Sequence, residues 1–144
     1  MKKNPNSTDR DGLLQIGVQT LRLEAKTLEK AAQGLNQNFT AAIEAILNSQ
    51  GRVVCTGLGK SGHIARKIAS TLASTGTPAL YLHPAEALHG DLGMLTESDV
   101  LLAVAYGGET LEVNDVAKFA RRLGICIVAI TGKLQSSLAS SAVS

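Results

Sequence analysis

The segment TGLGKSGHIARK, residues 56–67, decides how the rest of the chain is read. It follows the apolar run RVVC (52–55) and places Gly57, Gly59 and Gly62 around Lys60. It then passes into a stretch with Ile64, Ile68 and Leu72 on one helical face. A strand, a glycine loop and a helix in that order form the repeating unit of parallel α/β sheets. In such sheets ligands bind beyond the carboxyl ends of the strands, where this loop lies.

The alternation continues beyond this segment. RVVCT (52–56), PALYL (78–82), DVLLAVA (99–105) and ICIVAIT (125–131) read as buried strands. GHIARKIASTLAST (62–75) and TLEVNDVAKFARRL (110–123) read as amphipathic helices, the second with Val113, Val116, Ala120 and Leu123 on one face. PAEALHGDL (84–92) reads as a short helix leading into a loop, and SSLASSA (136–142) as a short helical piece. Continuous apolar strands separated by helices predict an α/β fold, a doubly wound and mostly parallel sheet with helices on both faces. Such sheets usually have about five or more strands. This chain stops about one short helix after its fourth, which is expected of a fragment of a longer protein or of a sheet lacking its remaining strand.

Ahead of the first strand, residues 1–10 (MKKNPNSTDR) are polar and expected to be loose. Leu14, Val18, Leu21, Ala25, Leu28, Ala32 and Leu35 then recur at three- and four-residue spacing as one helical stripe. It could pack on the domain or on another subunit. A second helix is expected from about Asn38, with Phe39, Ile43, Ile46 and Leu47 on one side, ending near Gly51. The organisation is therefore a flexible start (1–10) and one domain over 11–144 that includes the N-terminal helices, with no internal repeat.

Composition narrows the partners. The chain has 144 residues, 44% hydrophobic but only 3% aromatic, so its core must be built from Leu, Ile, Val and Ala. A net charge of +2, from 14 basic and 12 acidic residues, is too balanced for a nucleic-acid binder, and aromatics for base stacking are scarce. Cys55 and Cys126 lie in apolar runs and read as buried thiols rather than a disulfide. No apolar stretch follows the MKKN start, and no run approaches the roughly 20 residues of a membrane span. A soluble cytoplasmic protein is expected.

The glycine loop has three possible meanings. An ATP-binding P-loop needs a glycine five residues before the glycine of Gly-Lys-Ser, and here that position is Val54. Gly57, Gly59 and Gly62 do fit the dinucleotide fingerprint, yet the second strand ends LYLH (80–83) without the acid that would hold ribose hydroxyls. The third meaning is a sugar-phosphate pocket, in which the helix N-terminus holds phosphate and Lys60 reaches the substrate. A second glycine loop, AYGGETLE (105–112), supports it by bringing Glu109 and Glu112. A cation beside carboxylates suits proton transfer next to a carbonyl, with a base to move the proton and a positive group to stabilise the enediolate.

At these residues the chain resembles the sugar isomerase (SIS) domain, and within it the arabinose 5-phosphate isomerases that begin Kdo biosynthesis. The resemblance is carried by residues 56–95, GGETLE (107–112) and ITGK (130–133), and it covers about residues 35–144. It implies the SIS fold and a reversible isomerisation of D-ribulose 5-phosphate to D-arabinose 5-phosphate through a cis-enediol, in lipopolysaccharide biosynthesis. Position by position, Lys60 and Glu112 match catalytic residues, and His89, Gly76 and Thr77 match substrate-contacting positions. Ser61, Gly108 and Thr110 stand where phosphate is held, and His83 matches a histidine linked to an inhibitory zinc; no cofactor is implied. Glu109 matches the family's loop without a catalytic role and reads as a complement to the helix dipole. His63 reads as structural.

The resemblance also implies a tetramer with sites shared between subunits. Two departures stand against the family pattern. Its third-strand loop reads Ser-x-Ser-Gly-Glu-Ser/Thr, whereas Ala105 and Gly107 replace the two leading serines. A later glutamate and histidine, and the tandem CBS domains, lie beyond Ser144 in the family. The alternative function is a regulatory SIS module that binds sugar phosphate without turnover.

Overall fold

The structure, a computed structural model, describes residues 10–142. Its elements are α1 (Arg10–Gln33), α2 (Gln37–Leu47), β1 (Val53–Gly57), α3 (Gly59–Ser74), β2 (Ala79–Leu82), α4 (Pro84–Leu88), β3 (Val100–Val104), α5 (Leu111–Arg122) and β4 (Cys126–Ile130). Short 3-10 turns lie at Asp91–Met94 and Ala139–Ser141. The chain divides into two units, Met1–Asn36 and Gln37–Ser144. The start expected to be loose lies outside the described residues apart from Arg10, which opens α1. Because α1 ends at Gln33, Leu35 falls beyond the helix that was to carry it. Nothing else described in that unit covers the stripe of Leu14, Val18, Leu21 and Leu28.

The second unit is the α/β sandwich. Its four strands are parallel in the order β2-β1-β3-β4, with Val53 opposite both Ala79 and Val100, and Val100 opposite Cys126. All five residues of β1 and all five of β3 are buried, so both faces of these central strands must be covered. Alternation divides them. Val53, Cys55, Val100, Leu102 and Val104 pack with Ala65 and Ala69 of α3, and Ile46 of α2 lies against the same cluster. Val54, Leu101 and Ala103 pack with Ala87 of α4 and with Val113, Val116, Ala117 and Ala120 of α5. The expected doubly wound sandwich is present, and small alanines let its helices sit close to the sheet.

This winding creates the place for a site. The chain leaves β1 through α3 toward β2, and leaves the neighbouring β3 through α5 toward β4 on the opposite face. The carboxyl ends of β1 and β3 therefore flank the switch point of the sheet, where open α/β sheets bind ligands. Both glycine loops lie there. One boundary differs from expectation, since α3 begins at Gly59 rather than Gly62. The Gly62 N–H closes the first turn on the Leu58 carbonyl at 3.3 Å, which puts Lys60 inside that turn. The expected C-terminal helical piece is only a 3-10 turn. There the Ser140 and Ser141 hydroxyls donate to the Ser136 and Ser137 carbonyls, as serine does when it competes with a helix.

At the opposite edge Asp99 ties β3 to β1. Its carboxylate accepts from the Arg52 backbone N–H (2.8 Å), from Arg52 Nη2 (3.0 Å) and from the Thr96 N–H (2.9 Å). Burial by itself would raise the Asp99 pKa. The bonds from Arg52 and Thr96 outweigh it and hold the carboxyl at about 2. A depressed pKa contributes stability above the unfolded value, lost as pH falls from about 4 toward 2, on the order of 2 kcal/mol. Asp99→Asn should therefore lower Tm at pH 7, and thermal melts should show the gap from the parent closing as pH approaches 2. Both cysteines are free; Cys55 is buried, its thiol pushed up to about 11 by that burial, while Cys126 is only half-buried.

Candidate active site

The first loop is held by β2. The Tyr81 hydroxyl donates to the Gly57 carbonyl at 2.8 Å, and the Thr56 hydroxyl donates to the Leu82 carbonyl at 2.9 Å. Gly62 makes this possible, because a Cβ there would lie 2.6 Å from the Gly57 oxygen and 2.9 Å from the Tyr81 hydroxyl. Arg66, one turn along α3, sets its guanidinium 4.0 Å from the centre of the Tyr81 ring. Burial raises the Tyr81 pKa, although the charge of Arg66 opposes it. Gly59, Gly62, His63, Arg66, Tyr81 and His83 line a cavity of about 180 Å³ beside the start of α3.

The second loop is held by the segment after β4. Gly108 has φ of +68° and is buried, its carbonyl accepting from Asn114 Nδ2 (3.1 Å) and from the Leu138 N–H (3.1 Å). The Gly132 N–H and the Thr131 hydroxyl both donate to the Tyr106 carbonyl, at 2.9 and 3.2 Å. Glu109, read from sequence as a dipole complement, accepts from the Ser137 N–H (2.8 Å) and hydroxyl (2.7 Å). Those bonds lower its pKa and fasten the second loop to the segment after β4.

Two helix N-termini thus open beside the switch point. Neither Leu58, the N-cap of α3, nor Thr110, the N-cap of α5, caps its helix with a side chain. Both starts keep backbone N–H groups and positive dipole ends suited to an anion. Lys60 is the second residue of α3 and Glu112 the second residue of α5. Lys60 is exposed, Ser61, Thr110 and Glu112 are half-buried, and all four belong to this edge, as does Gly108. His83 and His89 flank the short α4 that follows β2, as its N-cap and C-cap; His89 is exposed.

Two expected residues are not brought to this edge. Gly76 and Thr77 follow the C-terminus of α3, at the opposite edge of the sheet. The 16-residue helix between them and Lys60 spans about 24 Å. His83 keeps a buried Nδ1 without a hydrogen-bond partner. Even so, no three His, Cys, Asp or Glu side chains gather to hold a metal ion among the described residues. Sequence reading missed Tyr81, Arg66 and Asn114. The available signal was the four-residue step from Gly62 to Arg66, which puts both on one face of α3.

A family model described as the SIS domain matches residues 46–143, so the chain belongs to the SIS domain family. Among curated relatives, arabinose 5-phosphate isomerase KdsD of Escherichia coli (strain K12) is 46% identical over 128 residues, which are 89% of this chain and 39% of that protein. Arabinose 5-phosphate isomerase GutQ of Salmonella typhimurium is 46% identical over 132 residues, 92% of this chain and 41% of that protein. The solved structure of c3406 from E. coli CFT073 in complex with A5P superposes with a TM-score of 0.84 at 38% identity, covering 95% of this chain and 71% of that one. The chain spans about two fifths of the length of the curated relatives it matches.

Proposed function

We propose that the protein carrying this chain is an aldose–ketose isomerase that interconverts D-ribulose 5-phosphate and D-arabinose 5-phosphate. The observation that carries the reading is the placement of Lys60 and Glu112, each second in a helix whose open N-terminus borders the same switch point. The phosphate lies against those N-termini, with the Ser61 and Thr110 hydroxyls and backbone N–H groups of both glycine loops as donors. These replace the hydroxyls missing at Ala105 and Gly107. Glu112 moves the proton between C1 and C2, and the Lys60 ammonium stabilises the negative charge that develops on the enediolate. His89 contacts the sugar from the α4 side. The resemblance supports this substrate pair and a step of Kdo supply in the cytoplasm, and the names of the relatives support isomerisation of arabinose 5-phosphate.

Gly76 and Thr77 reach a pentose phosphate only from another copy of the chain, because α3 separates them from Lys60. That separation supports the site sharing between subunits of a homo-oligomeric tetramer that the resemblance implies. The apolar stripe of α1 provides a surface for that assembly. No helix among the described residues is long and apolar enough to cross a membrane.

Thermal-shift titration with pentose phosphates, run beside a turnover assay on the complete protein, tests the reading. Stabilisation with turnover is expected. Stabilisation without turnover would mark a sugar-phosphate sensor. Stabilisation by NAD instead would return the dinucleotide reading.

A further inference from the structure

We infer that Tyr81 is a positioning residue for the phosphosugar site, acting through the peptide that follows β1; this rests on the isomerase reading above. Its hydroxyl donates at 2.8 Å to the Gly57 carbonyl, the last of the strand before the turn of α3 that carries Lys60. A carbonyl oxygen facing the crevice would repel a phosphoryl oxygen. Here that oxygen is turned toward Tyr81 and occupied. Because a peptide is planar and trans, the same bond aims the Leu58 N–H the opposite way.

Two further features serve this one contact. Gly62 leaves the space in which hydroxyl and carbonyl meet, since a Cβ would stand 2.9 Å from the Tyr81 oxygen. Arg66 lies over the ring at 4.0 Å, which fixes the ring and brings a cation to the edge of the small cavity. Tyr81, Gly62 and Arg66 thus form one device that sets the orientation of the loop without touching the reacting carbons.

The test compares Tyr81→Phe, which keeps the ring and the stacked Arg66 but loses the donor, with Arg66→Met and the parent, all in the complete protein. Steady-state kinetics with D-ribulose 5-phosphate are read together with the Tm shift produced by inorganic phosphate. Loss of one such hydrogen bond should raise KM about three- to tenfold for Tyr81→Phe, with kcat within about twofold. Arg66→Met should move KM in the same direction by less, and the phosphate-induced Tm shift should shrink in both. An unchanged KM, with or without a lower Tm, would assign the hydroxyl a purely structural role and overturn the inference. If the parent turns nothing over, the isomerase reading fails. The phosphate-induced shift still decides for Tyr81, since an equal shift in Tyr81→Phe and parent, or none in either, overturns the inference.

Discussion

Lys60→Ala in the complete protein is expected to lower kcat for D-ribulose 5-phosphate by about a hundredfold or more, with Tm unchanged or slightly higher. The two halves of that expectation have separate physical causes. Lys60 is exposed, so its removal leaves no cavity in the core. It is also the second residue of α3, where a positive charge faces the positive end of the helix dipole. Such a charge costs roughly 0.3–1 kcal/mol, so alanine relieves the helix. On the proposed mechanism the large loss belongs to the chemistry, in which the Lys60 ammonium would neutralise the enediolate. Activity assays and thermal melts on the same preparation check both halves. A solvated helix-start lysine would leave kcat where it was.

Gly108→Ala is the substitution expected to cost most stability, about 3 kcal/mol and roughly 10 °C in Tm. At φ of +68° a side chain is strained before it touches anything. The added methyl would also meet Ser136 Oγ and Cβ, and Ser136 is buried. Ser136 cannot move freely, because its hydroxyl donates to the Lys133 carbonyl at 2.7 Å and accepts from the Ala139 N–H at 3.3 Å. Strain therefore spreads into the segment that Glu109 and the Gly108 carbonyl hold in place. Gly107→Ala is the control. Its Cβ would enter open space, and the change should stay within about 0.5 kcal/mol. Denaturant unfolding of the two variants measures the contrast, and equal effects would mean that the Gly108 backbone is not strained by a side chain.

Much of this fold was legible because its signals are local. Apolar runs such as VVCT and VLLAV are too short for helices and apolar on both faces, which is the mark of a buried parallel strand. The start of α3 was harder to read. Gly59-Lys60-Ser61-Gly62 is poor helix material, and packing of Gly62 against the Gly57 carbonyl, rather than propensity, brings those residues into the helix.

The candidate site divides in the same way. Lys60 and Glu112 stand out by type and by position after a glycine loop. The bonds that aim those loops join residues far apart, Tyr81 to Gly57 across 24 positions and Ser137 to Glu109 across 28, and no periodicity reveals them. Gly76 and Thr77 show the converse. The resemblance matches them to substrate-contacting positions, and a helix running antiparallel to the strands carries them to the far edge of the sheet from Lys60.

The proposed turnover takes place at the switch point between the two glycine loops. It is tested most directly by incubating the complete protein with D-ribulose 5-phosphate in deuterated water and identifying the product by NMR. D-arabinose 5-phosphate with solvent deuterium at C2 is expected, C2 being the carbon that receives a proton as the enediol collapses. Substrate recovered unchanged, under conditions where it raises the Tm of the protein, would contradict it.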